Sequence, residues 1–125
     1  MASGPLDGIT VVDLTMMIAG PHCTRMLADA GAEVIKIEPP EGDPMRRRAP
    51  LRNGHSAYFG QFNAGKRSVV LDLKAPAGRD RALDLISEAD VLVENYRPGV
   101  MGRFGLDYET CALRNPRLVY CSISG

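Results

Sequence analysis

A chain of 125 residues, 45% hydrophobic and 24% charged, has the composition of one soluble globular domain that buries about two thirds of its unfolded surface. Its 15 basic and 15 acidic residues cancel, which excludes the overall field that draws proteins onto nucleic acid or anionic membranes. The 3 cysteines, Cys23, Cys111 and Cys121, are odd in number and lack C-x-x-C spacing, arguing against a disulfide framework or zinc site and for a reducing, cytoplasmic setting. The opening MASGPLDG lacks a basic run followed by an apolar core, and no apolar run approaches membrane-spanning length, so neither a secretory signal nor a membrane span is expected.

In chain order, Ile9 to Leu14 reads as a buried strand and is followed by a loop, Thr15 to Gly20. Pro21 suits the first turn of a helix, where its missing N–H has no partner to lose. Cys23, Met26, Leu27 and Ala30 then fall on one helical face, with His22, Arg25 and Asp29 off it. Gly31 supplies a left-handed stop, and Glu33 to Ile37 reads as a second strand. A strand, helix and strand so close together predict a parallel pair. The Met16–Gly20 loop then lies at the carboxyl end of the first strand, where open α/β sheets bind ligands.

Pro39 to Pro44, PPEGDP, marks an exposed loop, which the basic segment MRRRAPLRNGH continues. Ser56 to Asn63 suits a short helix that packs Tyr58, Phe59 and Phe62. Between Pro44 and Leu71 there is no acid, while Arg46, Arg47, Arg48, Arg52, Lys66 and Arg67 all occur, a local excess of positive charge. Ser68 to Leu73 reads as a strand, and Pro76 opens a helix with an apolar face of Ala82, Leu83, Leu85, Ile86 and Ala89. Val91 to Val93 forms the next strand and leads into ENYRPG. A short helix follows Pro98, another runs from Asp107 as N-cap to Arg114, and Leu118 to Ile123 is a last strand. This alternation predicts an α/β fold with a doubly wound parallel sheet, incomplete at its C-terminus because no covering helix follows the last strand.

Several residues invite a chemical role, each set against a plainer one. Glu38 stands where a dinucleotide-binding fold carries its ribose-binding acid, but the loop TMMIAGPHC has one glycine and Met17 and Ile18 block close approach to a pyrophosphate. NAD or FAD binding therefore ranks low. Cys23 near a helix N-terminus favours a thiolate, yet its apolar neighbours favour a small core residue. His55 is expected to be solvated rather than catalytic. Asp13, Asp72 and Glu94 near strand ends are expected to fix loops as hydrogen-bond acceptors rather than act as bases.

The blocks PLDGITVVDLT, AGPHCTRMLADAGAEVIKIEPPEGDPMR, NAGKRSVVLDLK, ADVLVENYRPGVMGRFGLDYE and NPRLVYCSISG resemble, in order, the N-terminal part of the family III CoA-transferases. That family includes formyl-CoA transferase, carnitine CoA-transferase and α-methylacyl-CoA racemase. The resemblance implies that residues 1–125 form a Rossmann-like CoA-binding domain within an interlocked homodimer. CoA or acyl-CoA enters as substrate, no cofactor is tightly bound, and a carboxylic acid serves as acceptor.

By resemblance, Met17, Ile18 and Ala19 line the loop beside the thioester end. Leu71 and Lys74 flank the nucleotide, Asn95 and Tyr96 touch the pantetheine, and Arg103 pairs with phosphate. Pro39 stands where a family member has a phosphate-binding arginine, which passes that contact to Arg46 and its neighbours. The family's nucleophilic aspartate, which forms a mixed acyl anhydride and releases CoA thiolate, falls beyond Gly125, as does the racemase acid/base pair. No catalytic residue and no metal ligand is assigned here. The chain by itself is expected to bind CoA without turnover; a racemase fragment and a non-catalytic assembly module are the alternatives.

Overall fold

A computed structural model describes residues 4–124. Five parallel strands, β1 (Thr10–Leu14), β2 (Glu33–Glu38), β5 (Arg67–Val70), β6 (Val91–Glu94) and β7 (Val119–Ser122), form one sheet in the order β5-β2-β1-β6-β7. A two-residue hairpin pairs β3 (Leu51–Arg52) with β4 (His55–Ser56). Helices α1 (Ala19–Asp29) and α2 (Ala57–Asn63) connect the first three strands of the sheet, and α3 (Pro76–Ser87), α4 (Val100–Arg103) and α5 (Tyr108–Arg114) connect the rest. The chain moves from β1 outward through β2 to β5, then returns to β6 on the other side of β1. The switch point, and with it the ligand crevice expected of this topology, lies between β1 and β6.

Strand alternation divides the interior in two. Val12, Leu14, Ile37 and Leu92 face α3 and the α4–α5 region, packing against Ala82, Ile86, Met101, Leu106 and Cys111. Val11, Val34 and Val93 face the opposite side, where Leu27 and Ala28 of α1 cover them. Gly31 ends α1 at φ 108°, with its N–H on the Ala28 carbonyl and the Ala32 N–H on Leu27, so the expected stop is made by backbone alone. Asn115, buried behind α5, donates to the Ile86 and Ala89 carbonyls (3.0 and 2.7 Å) and satisfies the end of α3.

Three expectations are corrected. Helix α1 begins at Ala19, and its buried residues are Gly20, Pro21 and Thr24, while Met26 is 56% exposed. The apolar spacing misplaced the inward face because Thr24, a polar residue, is buried by its bonds to Asp13 and to backbone carbonyls. The strand expected over Ser68 to Leu73 spans Arg67–Val70, because Asp72 turns the chain by accepting from the Lys74 N–H. The basic segment is ordered as a 3-10 turn, Pro44–Arg47, and the β3–β4 hairpin, whose Asn53-Gly54 turn has φ 52° and 77°, the positive pair that a two-residue turn of this kind requires.

Candidate functional site

Three acids at the carboxyl ends of strands shape the loops that follow. Asp13 accepts from Thr15 N–H at 2.8 Å, Asp72 from Lys74 N–H at 3.1 Å, and Glu94 from Tyr96 N–H at 3.0 Å. Each bond reaches two residues along the chain, the side-chain mimic of a turn. The loop-fixing role expected of these residues is the one they perform.

The loop after β1 is held far more firmly than a surface connection needs. Asp13 takes the Thr15 hydroxyl (2.5 Å), the Thr24 hydroxyl (2.7 Å) and the Lys66 ammonium (2.9 Å). Lys36 donates to the Thr15 carbonyl at 2.9 Å and pairs with Asp43 at 3.0 Å. Asn95 spans the switch-point crevice, accepting from Met16 N–H (2.9 Å) and donating to the Met16 carbonyl (2.7 Å), while Asp43 receives Met17 N–H at 3.3 Å. Asp13, Lys36, Asp43 and the Lys66 side chain are all at most 2% exposed. Buried charges are tolerated only when paired and hydrogen-bonded, and here the pairing fixes a loop. Its tip is Met17 at φ 74° and Ile18, with 43% and 48% of their surface open.

Glu38 does not serve a ribose. It closes a bidentate pair with Arg46 (2.7 and 2.6 Å), accepts from Ser68 (2.5 Å) and receives the Asp43 N–H (2.9 Å). Burial opposes its ionisation, but the bonds from Arg46, Ser68 and the Asp43 N–H outweigh burial and hold its pKa at about 2. A carboxyl whose folded pKa is depressed adds stability that is complete above about pH 4.5 and is lost as pH falls towards 2. Arg46 is 42% exposed, which screens the pair and leaves about 2 kcal/mol. The stability difference between wild type and Glu38→Gln, measured by urea unfolding, is expected to shrink by that amount between pH 5 and pH 2.

Arg46, expected as a phosphate contact, pairs with Glu38 within the fold and lies over Phe59, 3.9 Å from the ring centroid. Lys66 pairs with Asp13 and Arg67 with Glu33, so much of the local basic excess is answered by acids from elsewhere. Cys23 sits in the setting of a core residue rather than of an activated thiolate. Burial, then Cys121 and Asp13, push its thiol pKa up.

The remaining expected contacts form a second group. Lys74 and Tyr96 line one cavity of about 200 Å3 with Pro39, Glu41, Asp72 and Phe104. The Tyr96 ring meets Phe104 edge-on at 5.4 Å, and its hydroxyl pKa is pushed up to about 12 by burial and by Glu41, Asp43 and Glu94, so it remains a donor at neutral pH. Tyr96 also borders a cavity of about 670 Å3 that reaches Glu94, Met101, Asp107 and Tyr120. Arg103 is exposed at the end of α4, next to Phe104. Leu71 packs partly against the main core. The structure thus ties Asn95 to Met16, at the base of the tip that carries Met17, Ile18 and Ala19, sets Tyr96 and Lys74 in one cavity, and pairs Arg46 with Glu38.

The family model described as CoA-transferase family III matches residues 6–125. This chain belongs to CoA-transferase family III. The family III chain is 50% identical over 123 residues to an acetyl-CoA:oxalate CoA-transferase of Acetobacter aceti, covering 98% of this chain and 32% of that protein. It is 43% identical to a succinyl-CoA:glutarate CoA-transferase of Mus musculus, covering 97% and 28%. A solved CAIB/BAIF family protein from Brucella suis superposes with TM-score 0.94 at 44% identity, over 99% of this chain and 34% of that one. The chain thus spans about a third of the length of the relatives it matches.

The buried pairs escaped the sequence reading. Lys66 lies far along the chain from Asp13, and Lys36 sits in a strand whose alternation gives no hint that an ammonium is inside. The Asn53-Gly54 pair was a usable signal for the hairpin.

Proposed function

We propose that this chain is the CoA-binding N-terminal portion of a cytoplasmic, homodimeric enzyme that moves CoA between carboxylic acids. The observation that carries the proposal is the Thr15–Ile18 loop, locked from beneath by buried ion pairs and across the crevice by Asn95. A rigid tip that presents apolar Met17 and Ile18 at the switch point suits the narrow thiol end of pantetheine. Pro39 and Phe104 offer flat walls for a nucleobase, Asp72 and Glu41 offer acceptors for its amino group and for ribose hydroxyls, and Tyr96 borders the path of the pantetheine arm. Lys74 and Arg103 supply cations for the phosphates, beside the N-terminus of the 12-residue helix α3.

The acyl step belongs to the remainder of the enzyme. There an aspartate carboxylate attacks the thioester carbonyl, the C–S bond breaks and CoA leaves as thiolate. The thiolate attacks the aspartyl carbonyl of the mixed anhydride and expels the donor carboxylate. The acceptor carboxylate then runs the same steps in reverse, leaving as its CoA thioester with the aspartate restored. This chain's own contribution is to bind and orient, so it shows no turnover. The relatives named above are CoA-transferases acting on carboxylate substrates, which supports this reading.

Calorimetric titration of the chain with CoA is expected to give saturable binding, weakened about tenfold in Lys74→Ala through the lost charge-assisted phosphate contact. No heat from well-folded chain overturns the proposal.

A further inference from the structure

Among the described residues, two that are not glycine have positive φ, Asn53 at 52° and Met17 at 74°. Asn53 sits in the hairpin turn, and asparagine takes that conformation readily. Methionine does not. The backbone of Met17 must therefore be held by its surroundings, and such over-determined positions gather where a fold does its work.

The bonds to the loop show what holds it. Asp13 accepts from the Thr15 N–H (2.8 Å), and Lys36 donates to the Thr15 carbonyl (2.9 Å). Asn95 takes both backbone groups of Met16 (2.9 and 2.7 Å). Asp43 accepts from the Met17 N–H at 3.3 Å. Each backbone group from the Thr15 N–H to the Met17 N–H thus meets a side chain, and Asp43 makes the last of these bonds, at the residue whose φ is left-handed. Asp43 is itself fixed. It is fully buried, its N–H donates to Glu38 (2.9 Å), its Oδ1 also accepts from the Met45 N–H (2.9 Å), and its Oδ2 lies 3.0 Å from the Lys36 ammonium. With the carboxylate anchored on three sides, the loop tip is brought to Asp43 and not Asp43 to the tip.

We infer that Asp43 is the positioning residue for the thiol end of CoA: its carboxylate holds Met17 in the left-handed conformation that sets Met17 and Ile18 at the switch point. This role rests on the CoA-binding function proposed above, and Asp43 acts through Met17 without touching the ligand. Its effect is selective. Loss of the bond frees the tip that meets the pantetheine arm, whereas Asp72, Lys74 and Phe104 in the nucleotide cavity share no hydrogen bond with Asp43.

The test uses the folded chain, two ligands and amide hydrogen exchange. Adenosine 3′,5′-bisphosphate carries a nucleotide like that of CoA without the pantetheine arm. Asp43→Ala is expected to bind CoA about tenfold more weakly than wild type, to bind the bisphosphate equally well, and to exchange the Met17 N–H faster. Asp43→Asn keeps an oxygen for that N–H and is expected to recover most of the CoA affinity. Both variants are repeated with Lys36→Met, which removes the ammonium that Asp43→Ala strands, so a failure to fold does not decide the outcome. Equal weakening of CoA and bisphosphate, wild-type CoA affinity in Asp43→Ala, or unchanged exchange at Met17 overturns the assignment. A wild type that binds neither ligand overturns the proposed function instead, while exchange at Met17 separately reports whether Asp43 holds the tip.

Discussion

Replacing Asp13 by alanine is expected to lower the stability of the domain by about 3–5 kcal/mol, the cost of stranding a buried charge. The substitution removes one partner of an ion pair whose ammonium side chain is 2% exposed. It also strips the acceptor from Thr15 N–H and from the hydroxyls of Thr15 and Thr24. Burial already lowers the pKa of Lys66, and Asp13 is the main influence that raises it back. Without Asp13 the folded pKa falls further, so the penalty is greatest near neutral pH. It eases as pH rises towards the ordinary lysine range, where the unfolded chain also gives up its proton. Urea unfolding at pH 7 and pH 9.5 checks both parts. The double change Asp13→Ala, Lys66→Met is expected to regain most of the loss, since an apolar pair of similar volume avoids the stranded charge. A double variant no more stable than Asp13→Ala would assign the cost to the threonine bonds instead.

The sequence disclosed the scaffold better than the machinery beneath the loop, for a physical reason. Strand and helix periodicities report which side chains leave water because they are apolar; they placed β1, β2, α3 and β6 correctly to within a few residues. Thr24, Lys36 and Asp13 leave water because a partner distant in the chain satisfies them, and no local pattern encodes that partner. For the same reason Met26 was drawn inward. The acids that accept from the N–H two residues on were legible, since the turn they make is local. Of the residues carried by resemblance, those near the switch point and Lys74 gather into two adjoining groups. Arg46 pairs with the Glu38 carboxylate beside it, a contact no local pattern announces.

Gly20→Ala is expected to lower stability by about 1–3 kcal/mol through overpacking at the crevice. A Cβ at Gly20 falls 2.3 Å from the Thr15 Cβ and 2.4 Å from its Cγ2. Thr15 has no room to yield, because Asp13 holds its amide and hydroxyl and Lys36 holds its carbonyl. The strain must therefore move α1 or lift the loop that carries Met17 and Ile18, and CoA affinity is expected to fall together with stability. Thr15→Ser does not rescue the variant, since the contact with the Thr15 Cβ itself persists. Gly60 in α2 is the counter-example, with nothing within 4 Å of its added Cβ. There Gly60→Ala is expected to raise stability by up to about 1 kcal/mol through backbone entropy alone. Denaturant midpoints for the two alanine variants, moving in opposite directions, separate close packing at the crevice from the general helix preference for alanine. If Gly20→Ala retained wild-type stability and CoA binding, the loop would be free to move, and the case for a rigid thiol-end site would fail.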